Sequence, residues 1–246
     1  MAGTRGHRGF SLAEVLLAVA TLAIGMIFIG GTFVVGVHFA TVSTERTIAA
    51  VVAKEAFAKV RIFGVDRDDP NLAVDRQRLY GLEIGPDSAS IDAGEFAYPS
   101  TRTASEKQYY WSALCRRMPS DPNHSLQVTV FVSRKIGAAT MYEGPAGPVD
   151  WPVPMRVGVS GAVGEFVLTI EAGKERRIND GYTIVEDSGG EIYRVVERGG
   201  AGLAANQIRL APDKPWTGGD VVWAVPPPIG GGKGPCIGVY QKLIRF

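Results

Sequence analysis

The sequence predicts an α+β protein. A long N-terminal helix, membrane-spanning in its first part and amphipathic in its second, leads into antiparallel strands. A further β-rich region follows at the C-terminus. Three observations carry this reading. From Phe10 to Ala40 the chain is almost wholly apolar or small, with Glu14 its only acidic residue. From Thr41 to Gly64 apolar residues recur every three or four positions, the period of a helix face. Beyond residue 65 no long helical pattern stands out, and short runs rich in Val, Ile and Tyr are separated by Gly, Pro, Asn and Asp. The 31 glycines and 15 prolines fit such a strand-and-turn region better than an all-helical protein.

The N-terminus comes first. Residues 1–9, MAGTRGHRG, are short, polar and basic, with Arg5 and Arg8. The apolar run after them exceeds the ~20 residues a helix needs to cross the hydrocarbon core. A basic lead-in keeps the N-terminus in the cytoplasm and places the chain after about residue 40 on the outer side. Three readings compete for this stretch. A cleaved secretory signal would use Ala18-Val19-Ala20 as its cutting site. Against it, Glu14 interrupts the core, and the hydrophobicity continues well past Ala20. A plain signal anchor leaves Glu14 unexplained, although a carboxylate in a bilayer costs about 2.5–3.5 kcal/mol even on a lenient scale and so marks a functional site.

The third reading uses every residue. Gly9-Phe10-Ser11-Leu12-Ala13-Glu14, ahead of the apolar run, resembles the processing site of type IV pilins and type II secretion pseudopilins. The match covers about the first 40 residues. The resemblance implies that a prepilin peptidase cuts after Gly9 and methylates the new N-terminal Phe10. The cut precedes the apolar segment, so the helix stays in the mature protein, with Glu14 at its fifth position. It also implies other pilin or pseudopilin subunits, an inner-membrane assembly platform and the lipid bilayer as partners. The outer part would then lie in the periplasm. Glu14 is read as an assembly residue on physical grounds. Cleavage leaves an ammonium on Phe10 near the apolar layer, which is expensive unpaired. The Glu14 carboxylate of a neighbouring subunit can neutralise it, and a slipped register would leave both charges unpaired, so the pair specifies the stagger of helices.

Beyond the membrane segment, Ile48, Val52, Ala56, Val60 and Phe63 form one apolar stripe. Glu45, Arg46, Lys54, Glu55, Lys59 and Arg61 supply much of the polar surface, and Gly64 is the stop signal. Gly25, Gly30, Gly31 and Gly36 admit two readings: small-residue packing between membrane helices, or a local weakness in the helix.

In the outer part, residues 67–82 hold a short helix or turn. Residues 108–114 read as a strand, and Ser125 to Arg134 alternates with Leu126, Val128, Val130 and Val132 on one side, so 108–135 forms a hairpin. By resemblance this belongs to the small antiparallel sheet that pseudopilins pack on the helix. EGPAGPVDWPVP at 143–154 reads as a linker. Strands are expected over 165–171, 181–187, 191–197, 207–210 and 220–225, forming a small sheet or partly open barrel, with a last strand over 236–246. The resulting division is a leader at 1–9, a helix at 10–64 (10–40 transmembrane, 41–64 amphipathic), a pilin-like α+β domain at 65–142, a linker at 143–160 and a β-rich region at 161–246.

Other chemistries lack the residues they need. In GGGKGP, Lys233 is followed by Gly234 where a phosphate loop needs Ser or Thr. GVSGAVG lacks nucleophile-elbow spacing, and no histidine follows it. His7, His38 and His124 are scattered, and DRDD at 66–69 with Asp213 and Asp220 reads as solvated turns rather than a calcium site. Asn123-His124-Ser125 fits a glycosylation sequon but reads as a turn. With 26 Lys plus Arg against 25 Asp plus Glu, the formal charge of +1 gives no nucleic-acid footprint. No cofactor or metal is expected. Cys115 and Cys236 leave two readings open: a bridge closing a loop of about 120 residues, worth on the order of 5 kcal/mol, or two independent buried thiols.

The function expected is that of a pilin-like structural subunit without catalytic activity, assembled into a periplasmic pseudopilus for type II protein secretion. A minor pilin of a type IV pilus or competence system is the nearest alternative. A membrane-anchored envelope enzyme or binding protein is the alternative from another class.

Overall fold

The computed structural model describes residues 11–66, 69–85, 91–99, 107–122 and 124–245. It divides into two compact units, Met1–Glu45 and Arg46–Phe246. One helix, α1 (Leu12–Phe63), contributes to both. It ends where Gly64 takes a left-handed φ of 75°, a conformation glycine adopts without a Cβ clash. Gly64 N–H donates to the Val60 carbonyl at 3.0 Å, and the Tyr80 hydroxyl donates to the Gly64 carbonyl at 2.8 Å, so the helix end is capped. The helix also runs unbroken through Gly30-Gly31.

The larger unit holds a five-stranded antiparallel sheet. Its strands are β1 (Arg78–Leu79), β2 (Ala97–Tyr98), β3 (Tyr109–Arg117), β4 (Ser125–Arg134) and β13 (Cys236–Arg245). The order is β1-β3-β4-β13, with β2 beside the same edge of β3 as β1. The hairpin expected over 108–135 is β3–β4, in register from Tyr109↔Arg134 to Arg117↔Leu126. Successive strand residues face opposite sides. Trp111, Ala113 and Cys115 of β3 and Val128, Val130 and Val132 of β4 share a core with Ala49, Val52, Ala53, Ala56 and Val60 of α1. The small residues on the helix stripe allow this close approach. Lys59, nearly buried, is tied down by Glu55 and Glu95, each at 2.9 Å. Within 67–82, expected to hold a short helix or turn, the described residues form turns at 70–71 and from 81 onward, and the short strand β1 between them.

The opposite side of the sheet is not left to water. Leu114 and Phe131 join a second core with Val153, Val185, Trp223 and Val225. These belong to or flank a closed barrel of β7 (Met155–Ser160), β8 (Val167–Ile170), β9 (Thr183–Glu186), β10 (Ile192–Arg198), β11 (Gln207–Leu210) and β12 (Val221–Ala224). Its closed order is β10-β11-β8-β7-β12-β9, every pairing antiparallel. Alternate residues fill the interior, among them Val157, Leu168, Ile170, Ile184, Val195 and Ile208, with Trp216 beside them. Closure removes the exposed edges that a partly open barrel would keep.

Two expectations are corrected here. Residues 143–160, read as a linker, carry the hairpin of β5 (Tyr142–Gly144) and β6 (Gly147–Val149), and then β7 of the barrel. The proline-rich composition suggests a break between subdomains; the stretch does run from the sheet to the barrel, but as structured chain, with Pro148 in β6 and Pro152 and Pro154 buried. Residues 161–246, read as one β-rich region, divide in two. The last strand leaves the barrel and pairs with β4 from Cys236↔Ser133 to Arg245↔Ser125. The barrel is therefore an insertion between two neighbouring strands of the sheet.

A polar network fixes the barrel to the sheet at the β9–β10 turn. Arg116 is buried on β3. Its guanidinium donates to the carbonyls of Ser188 at 2.8 Å and Gly189 at 2.6 Å, to Val74 at 3.2 Å, and to Gln127. Burial lowers its pKa, an effect opposed by the charges of Glu186 and Glu191. Asp187 accepts from Trp223 Nε1 at 2.6 Å, from the Gln77 backbone at 3.2 Å and from Arg156 at 2.8 Å. Gly190 has φ 72°, a conformation that favours glycine, and a Cβ there would lie 2.8 Å from Gln127 Nε2 and push aside the amide that Arg116 holds. Its carbonyl accepts from Gln241 of β13 at 2.8 Å.

The two cysteines are free. Cys115 pairs with Val128 and Cys236 with Ser133, on opposite edges of β4 and five residues apart along it. That offset alone is about 17 Å, whereas a disulfide needs Cα atoms within about 7 Å. The bridge is replaced by the second reading, of separate thiols. Burial pushes the Cys115 thiol up to about 12. In the absence of reductant, we expect native protein to leave Cys115 unmodified by an aromatic disulfide reagent at pH 8. Denatured protein should yield two reactive thiols, and a single-chain bridge found by non-reducing peptide mapping would contradict the register.

The place of β13 is tested by adjacent residues. Ile244 is 0% exposed and Leu243 57% exposed. Ile244→Ala should destabilise by about 2–5 kcal/mol, while Leu243→Ala should stay within about 0.5 kcal/mol. Denaturant unfolding of the two variants measures the contrast.

Candidate assembly site on the N-terminal helix

Of the residues singled out for processing and assembly, Gly9 and Phe10 lie outside the described residues. Glu14 lies in the first turn of α1. Its local partner is Ser11. The Ser11 backbone N–H donates to Glu14 Oε2 at 3.4 Å, and the Glu14 N–H donates to Ser11 Oγ at 3.3 Å. This reciprocal pair is a capping box, in which an N-terminal Ser and a Glu three residues later satisfy each other's backbone donors. The sequence reading assigned Glu14 only to pairing between subunits and gave Ser11 no role. The Ser-x-x-Glu spacing was the signal for it.

Around and after this turn the helix presents apolar surface. Leu12, Leu16, Leu17, Ile27, Phe28, Phe33 and Phe39 are all exposed. The most apolar 18-residue window of the helix has a mean hydropathy of 2.5, and none of it is buried. Among the described residues this is the one helix long and apolar enough to cross a membrane. Its threonine side chains bond to the helix's own backbone. Thr21 Oγ1 donates to the Leu17 carbonyl at 3.0 Å, Thr32 to Phe28 at 3.0 Å, Thr41 to Val37 at 2.9 Å and Thr44 to Ala40 at 2.8 Å. Such back-bonding suits a medium that offers no hydrogen bonds. A Cβ built on Gly25, Gly30, Gly31 or Gly36 would meet nothing within 4 Å. These glycines fill no packing contact of their own chain and leave flat stretches that another helix can approach closely.

The larger unit was expected to carry a working cleft if the chain were an envelope enzyme. The groups whose pKa values move furthest lie in the cores or, like Cys236, are packed against one. Burial raises Tyr80, and it pushes Tyr182 up to about 12, as it does Cys115. Tyr80 and Cys115 lie in the core shared by helix and sheet, and Tyr182 lies in the barrel core. Their shifts have a desolvation cause and need no catalytic one. Glu186 accepts from the Ser188 backbone at 2.7 Å, and with Asp187 it belongs to the turn that holds the barrel to the sheet. Among the described residues no group of three or more His, Cys, Asp or Glu could hold a metal ion.

Ser11 and Glu14 answer separately to substitution. Ser11→Ala removes one capping acceptor and should lower the stability of the first helical turn by about 0.5–2 kcal/mol. In a peptide of residues 10–40 in lipid vesicles, faster amide hydrogen exchange confined to that turn is the expected readout.

Comparison of the chain with family models, curated proteins and solved structures finds no match.

Proposed function

We propose that the chain is a pilin-like structural subunit. In this reading prepilin peptidase cuts after Gly9 and methylates Phe10. The helix holds the subunit in a bacterial inner membrane with the larger unit in the periplasm. The mature chain is then drawn through an inner-membrane assembly platform into a pseudopilus for type II protein secretion. The observation that carries the proposal is a lone carboxylate, Glu14, in the first part of a helix that from Leu12 to Phe39 is otherwise largely exposed and apolar, close behind Gly9-Phe10-Ser11. A carboxylate in that position is costly in lipid unless it meets a positive charge. The amine that cleavage would create on Phe10 of a neighbouring subunit is such a charge. The bare glycines along the same helix support close helix–helix approach in a filament.

A minor role, in this filament or in a type IV or competence pilus, is favoured by the inserted barrel. A major subunit would have to accommodate that added bulk at every step of the filament. The barrel lies between β4 and β13 and so cannot be shed as a terminal tail.

Mass spectrometry of the N-terminal peptide, from native membranes, tests the first step. The expected product begins at Phe10 and carries one added methyl group. A chain beginning at Met1 or Ala2 would leave a plain anchor, and one beginning at Thr21 would mean a secreted protein. The second step is tested by Glu14→Gln. Glutamine keeps the capping-box acceptor and removes the charge. Cleavage should be unchanged while incorporation into filaments falls about tenfold or more, as expected when a desolvated ammonium loses its partner. Normal assembly of this variant would reduce Glu14 to a helix cap.

A further inference from the structure

The barrel carries a cleft that the assembly reading does not use. It measures about 720 Å³, within the range of ligand sites. One wall is Pro226-Pro227-Pro228, which follows β12 after Val225. This wall is fixed to the β5 hairpin by a bridge between Tyr142 and Pro228 and by Ile229 N–H donating to the Met141 carbonyl at 2.9 Å. Three successive prolines give a stiff apolar surface without backbone donors. The facing groups are cationic: Arg176 and Arg177 on the 3₁₀ turn Glu175–Arg177, and Arg198 at the end of β10.

Two of these arginines are held in place. Arg198 donates from its side chain to the Glu175 carbonyl, and its backbone N–H donates to Asp180 at 2.7 Å. Arg177 donates to the Arg156 carbonyl at 3.2 Å and grips the carboxylate of Glu143, Nε to Oε2 at 3.0 Å and Nη2 to Oε1. That grip is a two-pronged guanidinium–carboxylate pair formed inside the cleft. Glu143 is the single acid among the lining residues, against three arginines. Glu175, next to the cleft, accepts from the Gly173 N–H at 2.9 Å; backbone hydrogen bonds do most to hold its carboxyl below the usual range, and Arg198 and Arg176 are close enough to help. Arg176 is exposed. Ile229 of the lining, and Met141 bonded to it through the backbone, expose apolar side chains.

We propose that this cleft binds an acidic polypeptide segment of another protein. The segment's carboxylates would meet Arg176 and Arg198, and its chain would lie along the proline wall. Charge complementarity and the carboxylate already held by Arg177 point to this ligand chemistry. The planar guanidinium fork matches a carboxylate, and the apolar wall and lip suit the aliphatic parts of a peptide. Glu143 occupies one of the three forks and so limits how much negative charge the cleft accepts. The proposal stands apart from the filament reading, since it depends only on residues of the larger unit.

Fluorescence anisotropy on the full chain in detergent micelles tests it, with fluorescein-labelled tetraglutamate as probe and labelled tetraglutamine as control. Saturable binding of tetraglutamate is expected, about tenfold tighter than tetraglutamine. The affinity should fall as salt is raised from about 50 to about 500 mM. Arg176→Glu should weaken binding about tenfold, and Glu143→Gln, which frees Arg177, should tighten it. Equal binding of the two peptides, or an unchanged affinity in Arg176→Glu, would overturn the proposal. Displacement of tetraglutamate by inorganic phosphate at equal concentration would also overturn it, leaving a site for small anions.

Discussion

The larger unit depends on the pairing of β4 with the end of the chain. β13 supplies material to both sides of the sheet. Ile244 enters the core shared with the helix, and Val239 packs against the core shared with the barrel. Without this strand, β4 would be an edge with unpaired backbone groups and half-covered apolar faces. The pairing joins segments far apart in sequence, so its closure entropy must be overcome by the contacts it makes. A barrel that is closed on itself lessens this cost, because it brings the ends of the intervening chain together as one folded body.

The same pairing decides what the sheet can be. A sheet that packs on a helix usually leaves its other side to solvent. Here that side carries Gln127, Thr129 and Ser133 among its residues, yet all are buried. Their polar groups find partners rather than water: Gln127 accepts from Arg116, and Thr129 accepts from Gln241 at 3.1 Å. Burying a guanidinium is expensive unless its donors are satisfied. Arg116 meets that condition by binding the carbonyls of a tight turn, and the turn in turn needs glycine at 190 to come close enough. The barrel is thereby held by directional bonds as well as by the apolar surface around Phe131 and Trp223.

The N-terminal helix answers to a different solvent. Its outer stripe, from Ala49 to Val60, is buried by the sheet in the usual way of an amphipathic helix. Its first part has no such cover in the chain itself, and its threonines bond inward to the helix backbone. Glu14 is the exception to this economy. Its carboxylate accepts from the Ser11 N–H, and the proposed assembly asks the same group to meet a positive charge on a neighbouring subunit.

Much of the local structure was legible in the sequence. The long apolar run, the stripe from Ile48 to Phe63, the stop at Gly64 and the alternation from Leu126 to Val132 all repeat at the period of their element, so neighbours along the chain suffice to read them. The Ser11 cap could likewise have been read from its spacing to Glu14. The insertion of the barrel, the return of β13 to β4 and the separation of Cys115 from Cys236 could not be read this way. Each depends on which strands become neighbours, and a strand's own pattern specifies its faces but not its partner. The Arg116 network and the arginine cleft share that origin. Arg177 and Glu143, or Arg116 and Ser188, are remote in the chain, and only the closed barrel and the sheet beneath it bring their charges and carbonyls within hydrogen-bond reach.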